Sequence, residues 1–225
     1  MPVDFKRFEE QIGISFKDKR LLKQALTHRS YANVHAIKED NERLEFLGDS
    51  ILDLVISDYL YERYPDLDEG GLSRMKSALV NRNTLYLWGK TIGLQEFVLL
   101  SREEESAGGR EKASIIANAF EALIAAIYRD QGYMSTKYFI IGMISQQEEI
   151  ERLDFKSLLQ EVVQKKYKIL PEYSIRDESG PDHKKIFEIE VKVKSRTYGK
   201  GVGKSKKDAQ QQAAREALGK MKMLL

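Results

Sequence analysis

Along the first two thirds of the chain, apolar residues recur at helical spacing. Leu21, Leu22, Ala25 and Leu26 mark one short amphipathic segment. A longer periodic stretch runs from about Glu42 to Tyr64, and Pro65 stops it, because a proline disfavours helix at the residue before it. Further helices are predicted from about Leu72 to Gly89 and from about Ser114 to Asp130, the second ended by Gly132. Between them Ser101 to Lys112 is polar, with Gly108-Gly109 at its centre, and is expected to be a loop. Nothing in this region alternates with the period of a strand.

The pattern changes after about Ser145. Ser145-Gln146-Gln147-Glu148-Glu149-Ile150 is polar and is expected to link two domains. Phe155 to Tyr167 then has helical spacing. Ile186 to Lys194 alternates, with Phe187, Ile189, Val191 and Val193 on one face and Glu188, Glu190, Lys192 and Lys194 on the other. Tyr173 to Arg176 and Thr197 to Val202 are predicted to flank it as strands. Ser205 to Met221 closes the chain as a helix, with Ser205 and Asp208 at capping-box spacing. The expected fold is an all-α domain, residues 1–148, followed by a small α+β domain of order α-β-β-β-α, residues 153–222.

Composition fits this division. The chain has 225 residues, 42% apolar and 32% charged, which suits folded domains rather than disorder. It has no cysteine, which excludes a disulfide framework or a zinc–thiolate site. The N-terminal residues lack the apolar core of a signal peptide, and no apolar run approaches the ~18 residues that span a bilayer. A cytoplasmic protein is expected. Charge is unevenly spread: from Glu151 onward there are 18 Lys and Arg against 11 Asp and Glu, a net of +7. The preceding residues hold 19 and 24, a net of −5. A basic tail suits a polyanionic partner, although two solvated surfaces would give the same totals.

The segment Asn41-Glu42-Arg43-Leu44-Glu45-Phe46-Leu47-Gly48-Asp49-Ser50 carries the candidate chemistry. On a helix Glu42, Glu45 and Asp49 share one stripe, and the neighbouring Leu44, Phe46, Leu47, Ile51, Leu52, Leu54 and Val55 place it near a buried face. In Ser114 to Tyr128, apolar residues cover nearly the whole circumference, and Asn118 and Glu121 are the polar side chains in its middle. A buried, unpaired carboxylate is costly, and a hard divalent cation would relieve the repulsion. Spacing leaves a second reading open, in which Arg43, Arg74, Lys76 or Arg82 pairs with these acids. Asp53, one turn beyond Asp49, is also open as a ligand.

Asn41 to Ser50 resembles the signature of the ribonuclease III family. Ala25 to Tyr31, Asp68-Glu69-Gly70 with Leu72-Ser73-Arg74, Gly108-Gly109, and Ala117 to Leu123 resemble further motifs of that family, in the same order. The resemblance covers essentially the whole chain. It implies an endoribonuclease that hydrolyses double-stranded RNA in rRNA precursors and mRNA, acting as a homodimer and leaving 5′-phosphate and 3′-hydroxyl ends. It implies Glu45, Asp49, Asn118 and Glu121 as ligands of Mg2+, with Mn2+ as a substitute. It also implies Glu42 and Glu69 as supporting acids, and Phe46 as a ring that enters a pocket on the partner subunit. His28 is expected to be a hydrogen-bonding histidine rather than a general base. Asn118 stands where most members carry Asp, so the site has one negative charge fewer. This raises a second reading, a catalytically weakened RNA-binding protein.

Residues from about Asp154 to Met221 are similar to a double-stranded RNA-binding domain. The resemblance implies RNA contacts through Lys204, Lys206 and Lys207 at the start of the last helix. It adds Pro181 and His183 in a minor-groove loop, and Gln160 and Glu161 on the first helix. Gln210 replaces a further lysine of that cluster. Such domains recognise A-form shape more than sequence.

Overall fold

The structure is a computed structural model that describes residues 4–65, 67–146, 155–181 and 185–221. The chain divides into two compact units, residues 1–59 with 76–146, and residues 60–75 with 147–225. The first is built from helices. α1 (Phe5–Ile12), α2 (Lys19–Ala25) and α3 (Arg29–Val34) precede the long α4 (Glu42–Arg63). α5 (Glu69–Leu79), α6 (Arg82–Thr91), α7 (Arg102–Ser106) and α8 (Ala113–Gln146) follow, with residues 60–63 of α4 and 69–75 of α5 belonging to the second unit. Among the described residues no helix is long and apolar enough to cross a membrane.

Two expectations are corrected here. The single helix predicted over Leu72 to Gly89 is two, α5 and α6. Asn81 ends the first by starting the second, its side chain accepting from the Thr84 N–H at 3.0 Å. The predicted loop Ser101 to Lys112 contains α7, capped when Ser101 Oγ accepts from the Glu104 N–H at 3.2 Å, and a 3-10 turn at Gly109–Glu111. The helix from Ser114 breaks at Gly132, as expected: φ 80° and ψ −176° there are not helical, and a further helical stretch runs on to Gln146 beyond this kink in α8. Glycine reaches that conformation without the Cβ clash other residues would meet.

Two features of α8 shape the first unit. Its near half is buried all round, from Ile115 to Ile127 apart from Asn118 and Glu121. It packs against α6 and α2, with Trp88 and Phe120 rings 5.7 Å apart. It also meets α4 backbone to backbone. A Cβ placed on Gly48 would collide with the carbonyl oxygen of Glu121, so only glycine lets the two helices approach this closely.

The second unit contains the expected α-β-β-β-α element order: α9 (Phe155–Tyr167), β1 (Glu172–Ser179), β2 (Ile186–Val193), β3 (Arg196–Gly203) and α10 (Lys206–Lys220). The sheet is antiparallel in the order β1-β2-β3. Phe187, Ile189, Val191 and Val193 are buried, while α10 supplies Ala209, Ala213 and Ala217 to the same core. On β3, side chains at Gly199 and Gly201 would meet the carbonyl oxygens of Ala213 and Ala209, so small residues bring helix and strand together. Glu190 departs from the alternation, being only 2% exposed on the polar face of β2. Arg176 Nε and Lys192 Nζ pair with its carboxylate at 2.7 and 3.0 Å, and Ser174 Oγ donates at 3.2 Å.

These bonds, Lys192's first and Arg176's second, hold the Glu190 pKa at about 2 against an ordinary 4.5. A carboxylate with a depressed folded-state pKa adds stability above its unfolded pKa and loses it as pH falls through the folded one. Glu190→Gln should therefore lower the melting temperature near neutral pH. The gap from the parent should narrow between pH 4.5 and 2, and a gap constant across that window would contradict the ion cluster. In the first unit, Gly48→Ala sets two effects against each other. Alanine favours a helix interior by about 1 kcal/mol. The new methyl meets backbone that cannot rotate away, and overpacking of this kind costs about 1–3 kcal/mol. Thermal melts should show net destabilisation.

Candidate active site

Glu42, Glu45, Phe46 and Asp49 project from the first turns of α4, and Ala117, Asn118 and Glu121 from α8. Together with Arg82, the first residue of α6, they line one open concavity of about 610 Å³. The spacing of the α4 acids puts them on one stripe, and the contact at Gly48 brings Glu121 beside it.

The electrostatics follow from this crowding. Burial pushes the Glu121 carboxyl up to about 7, with Asp49 and then Glu45 adding repulsion and Arg82 opposing it. Burial also raises Glu45, against a hydrogen bond from the Asn118 side chain that works in the other direction. Among the described residues, none of Glu45, Asp49 and Glu121 has a lysine or arginine in ion-pair contact. The salt-bridge reading of the sequence thus fails for these three. It holds for Asp53, whose carboxylate pairs with Lys76 at 3.0 Å and does not line the concavity. Glu42 meets Arg29 at 3.2 Å on the exposed rim.

Three carboxylates and an amide oxygen form a donor set of hard oxygens, which suits a hard divalent cation. They line the concavity without closing it: among the described residues no three Asp, Glu, His or Cys side chains converge into a ready-made cage. Mutual repulsion of uncompensated carboxylates accounts for the spread. Glu69 is not among the lining residues. It stands in the first turn of α5 and accepts from Ser73 Oγ at 2.8 Å. His28 caps α3, its ring nitrogen accepting from the Ser30 N–H at 3.2 Å, and burial lowers its pKa.

Phe46 is 79% exposed and Leu54 58% exposed, so neither belongs to the core of its own subunit. In the second unit Lys204, Lys206 and Lys207 are exposed around the start of α10, where Ser205 caps the helix. Lys206 Nζ lies 5.6 Å from the Phe187 ring centre. Gln160 is exposed and Glu161 half-buried on α9, and Pro181 is exposed after β1. His183 lies outside the described residues. Gln210 accepts from Lys156 Nζ at 3.0 Å, so a lysine from α9 stands beside the position that lacks one.

Sequence reasoning missed Arg82, which lines the concavity, and Gly48, which sets the close approach of α4 and α8. Gly48 carried a signal, since an interior helical glycine costs about 1 kcal/mol and marks close packing where it is kept. Arg82 appeared only as a salt-bridge candidate, which it is not. Its signal was the polar run Asn81-Arg82-Asn83-Thr84 within an otherwise periodic stretch.

Comparison with known proteins agrees with this arrangement. Residues 18–147 match the family model described as Ribonuclease-III-like, and residues 155–221 match the double-stranded RNA binding motif. The chain is 44% identical over 223 residues to Ribonuclease 3 of Bacillus licheniformis, covering 96% of this chain and 90% of that one. It is 42% identical over 224 residues to Ribonuclease 3 of a Sulfurovum species, covering 97% and 99%. Among solved structures, the nuclease domain of ribonuclease III from Campylobacter jejuni superimposes with a TM-score of 0.61 at 39% identity. That match covers 64% of this chain and 99% of the other. The chain belongs to the ribonuclease III family, as an endoribonuclease of double-stranded RNA.

Proposed function

We propose that Glu45, Asp49, Asn118 and Glu121 hold a divalent cation of the Mg2+ class, with Mn2+ as a substitute, and that RNA is cut at this concavity. The observation that carries the reading is the crowding of three carboxylates with no cationic partner among the described residues, one of them held at about 7. Such a cation, when bound, supplies charge neutralisation at the phosphate and an activated water. The reaction is hydrolysis: the water oxygen bonds to phosphorus, the bond to the 3′ oxygen breaks, and that oxygen takes a proton. The products are a 5′-phosphate and a 3′-hydroxyl. No side chain of the concavity is a hydroxyl or thiol nucleophile, so the chain's own residues hold and orient. Glu42 and Glu69 are proposed as supporting acids. Asn118 contributes an oxygen without charge and should weaken cation affinity rather than remove the activity.

We assign catalysis to residues 1–148 and duplex binding to residues 153–222. The relative from Campylobacter jejuni is described as forming dimers through its nuclease domain. For this chain the same assembly would cover the exposed Phe46 ring. Two copies would place one concavity on each strand and leave short 3′ overhangs. Lys204, Lys206 and Lys207 would meet phosphates, helped by the free N–H groups at the start of α10. Pro181 and His183 would enter the minor groove, and Gln160 and Glu161 would read 2′-hydroxyls.

Glu121→Gln should abolish cleavage of a long RNA duplex across an Mg2+ titration while duplex affinity stays nearly unchanged. Parent-like cutting by this variant would remove the proposed site. Asn118→Asp restores a fourth carboxylate and should shift the Mg2+ dependence to lower concentration. Phe46→Ala should leave the fold of each subunit stable, since the ring is exposed within one chain. Sedimentation should show more monomer, because covering a phenylalanine side chain is worth about 1.5–3 kcal/mol. An unchanged monomer–dimer balance would return Phe46 to an ordinary surface residue.

A further inference from the structure

Arg82 is the one cationic residue lining the acidic concavity, and the roles assigned above do not use it. Its position is not explained by helix stability. It is the first residue of α6, where a cation opposes the helix dipole, and the cap is made by its neighbour Asn81. Nor is it explained by pairing. Among the described residues its guanidinium makes no ion pair or hydrogen bond, although Glu42, Glu45, Asp49 and Glu121 line the same concavity. The residue is exposed, so the guanidinium is open to a solute. Its field still reaches Glu121, where it opposes the rise in pKa.

A polyanion entering this concavity meets acids on α4 and α8 that repel it. An unengaged guanidinium at the edge supplies attraction, and its planar fork matches two phosphate oxygens at once. We propose that Arg82 is a substrate-positioning residue that holds a backbone phosphate of the RNA strand at the concavity. The proposal rests on the reading of this concavity as the cleavage site. It adds a phosphate contact on the nuclease unit to those of α10, and places it beside the acids.

The test uses the full chain and a labelled RNA duplex. Affinity is measured by fluorescence anisotropy in EDTA over a salt titration, for the parent, Arg82→Ala and Arg82→Lys. KM and kcat are then measured in Mg2+. Each phosphate contact contributes roughly 0.9 to the slope of log affinity against log salt, equivalent to about 8-fold in affinity at 0.1 M salt. Arg82→Ala should flatten that slope in EDTA or raise KM by about this factor in Mg2+, with kcat changed less. Arg82→Lys should recover much of the loss. The melting temperature of Arg82→Ala should equal or exceed the parent's, because a cation leaves a helix N-terminus. The proposal is overturned if affinity, salt slope and KM all match the parent. It is equally overturned if weaker binding comes only with a lower melting temperature and lysine does not rescue it. Failure of the site itself is separable: Glu121→Gln would then cut like the parent, whatever Arg82→Ala does.

Discussion

The first unit depends on one close approach, the crossing of α4 and α8 where Gly48 leaves no room for a side chain against Glu121. That contact sets the register between the two helices, and so decides which acids face each other. Because the near half of α8 is buried nearly all round, it cannot slide to relieve the crowding. Its own Phe120 and the Trp88 packed against it would each lose burial worth about 1.5–3 kcal/mol if it did. The apolar core thus outweighs a local electrostatic penalty and keeps it in place. Uncompensated charge held by rigid packing is the kind of strain that marks a functional site.

The second unit carries a control for this argument. Glu190 is only 2% exposed, and burial works to raise its pKa as it does for Glu121. It falls to about 2 instead, because Lys192 and Arg176 reach it. The two glutamates differ in what surrounds them, and their shifts have opposite signs. Glu190 has the environment of a structural ion cluster, with every partner supplied by its own sheet. Glu121 has Asp49 and Glu45 nearby and, among the described residues, no cationic side chain in ion-pair contact.

Much of this was legible in the sequence, and the exceptions have physical causes. The second unit was read almost element by element, since strict alternation from Phe187 and the Ser205–Asp208 spacing each follow from local geometry. The burial of Glu190 was not legible, because cross-strand partners such as Arg176 are set by register and not by spacing within one strand. In the helical unit, apolar period alone ran α5 and α6 together, while the true break was a single capping side chain at Asn81. Gly132 was legible as a break because a φ of 80° with a ψ of −176° lies outside the helical region, whereas the second helical stretch that follows it was not read. The acids Glu45, Asp49 and Glu121 were visible as types at helical spacing. Their juxtaposition needed the α4–α8 crossing, which no periodicity encodes. Asp53 shows the limit of spacing most plainly, since it shares the stripe yet belongs to an ion pair with Lys76.

The charge division between the units follows from incompatible requirements. Duplex binding needs dense positive charge that phosphates can approach, whereas a hard-cation site needs uncompensated carboxylates. If lysines such as Lys206 and Lys207 stood beside Glu45 and Asp49, the two sets would pair and neither would remain available. Placing them on separate folds keeps each charge unspent. The cost is that the acidic unit repels the substrate it must cut, so attraction has to come largely from the basic tail. The tail is also the part that matches the double-stranded RNA binding motif, and modules of that kind read A-form geometry. A cation beside the concavity is compatible with such a site where it leaves Glu45, Asp49 and Glu121 unpaired. Arg82 meets that condition, lining the same concavity without ion-pair contact to any of them.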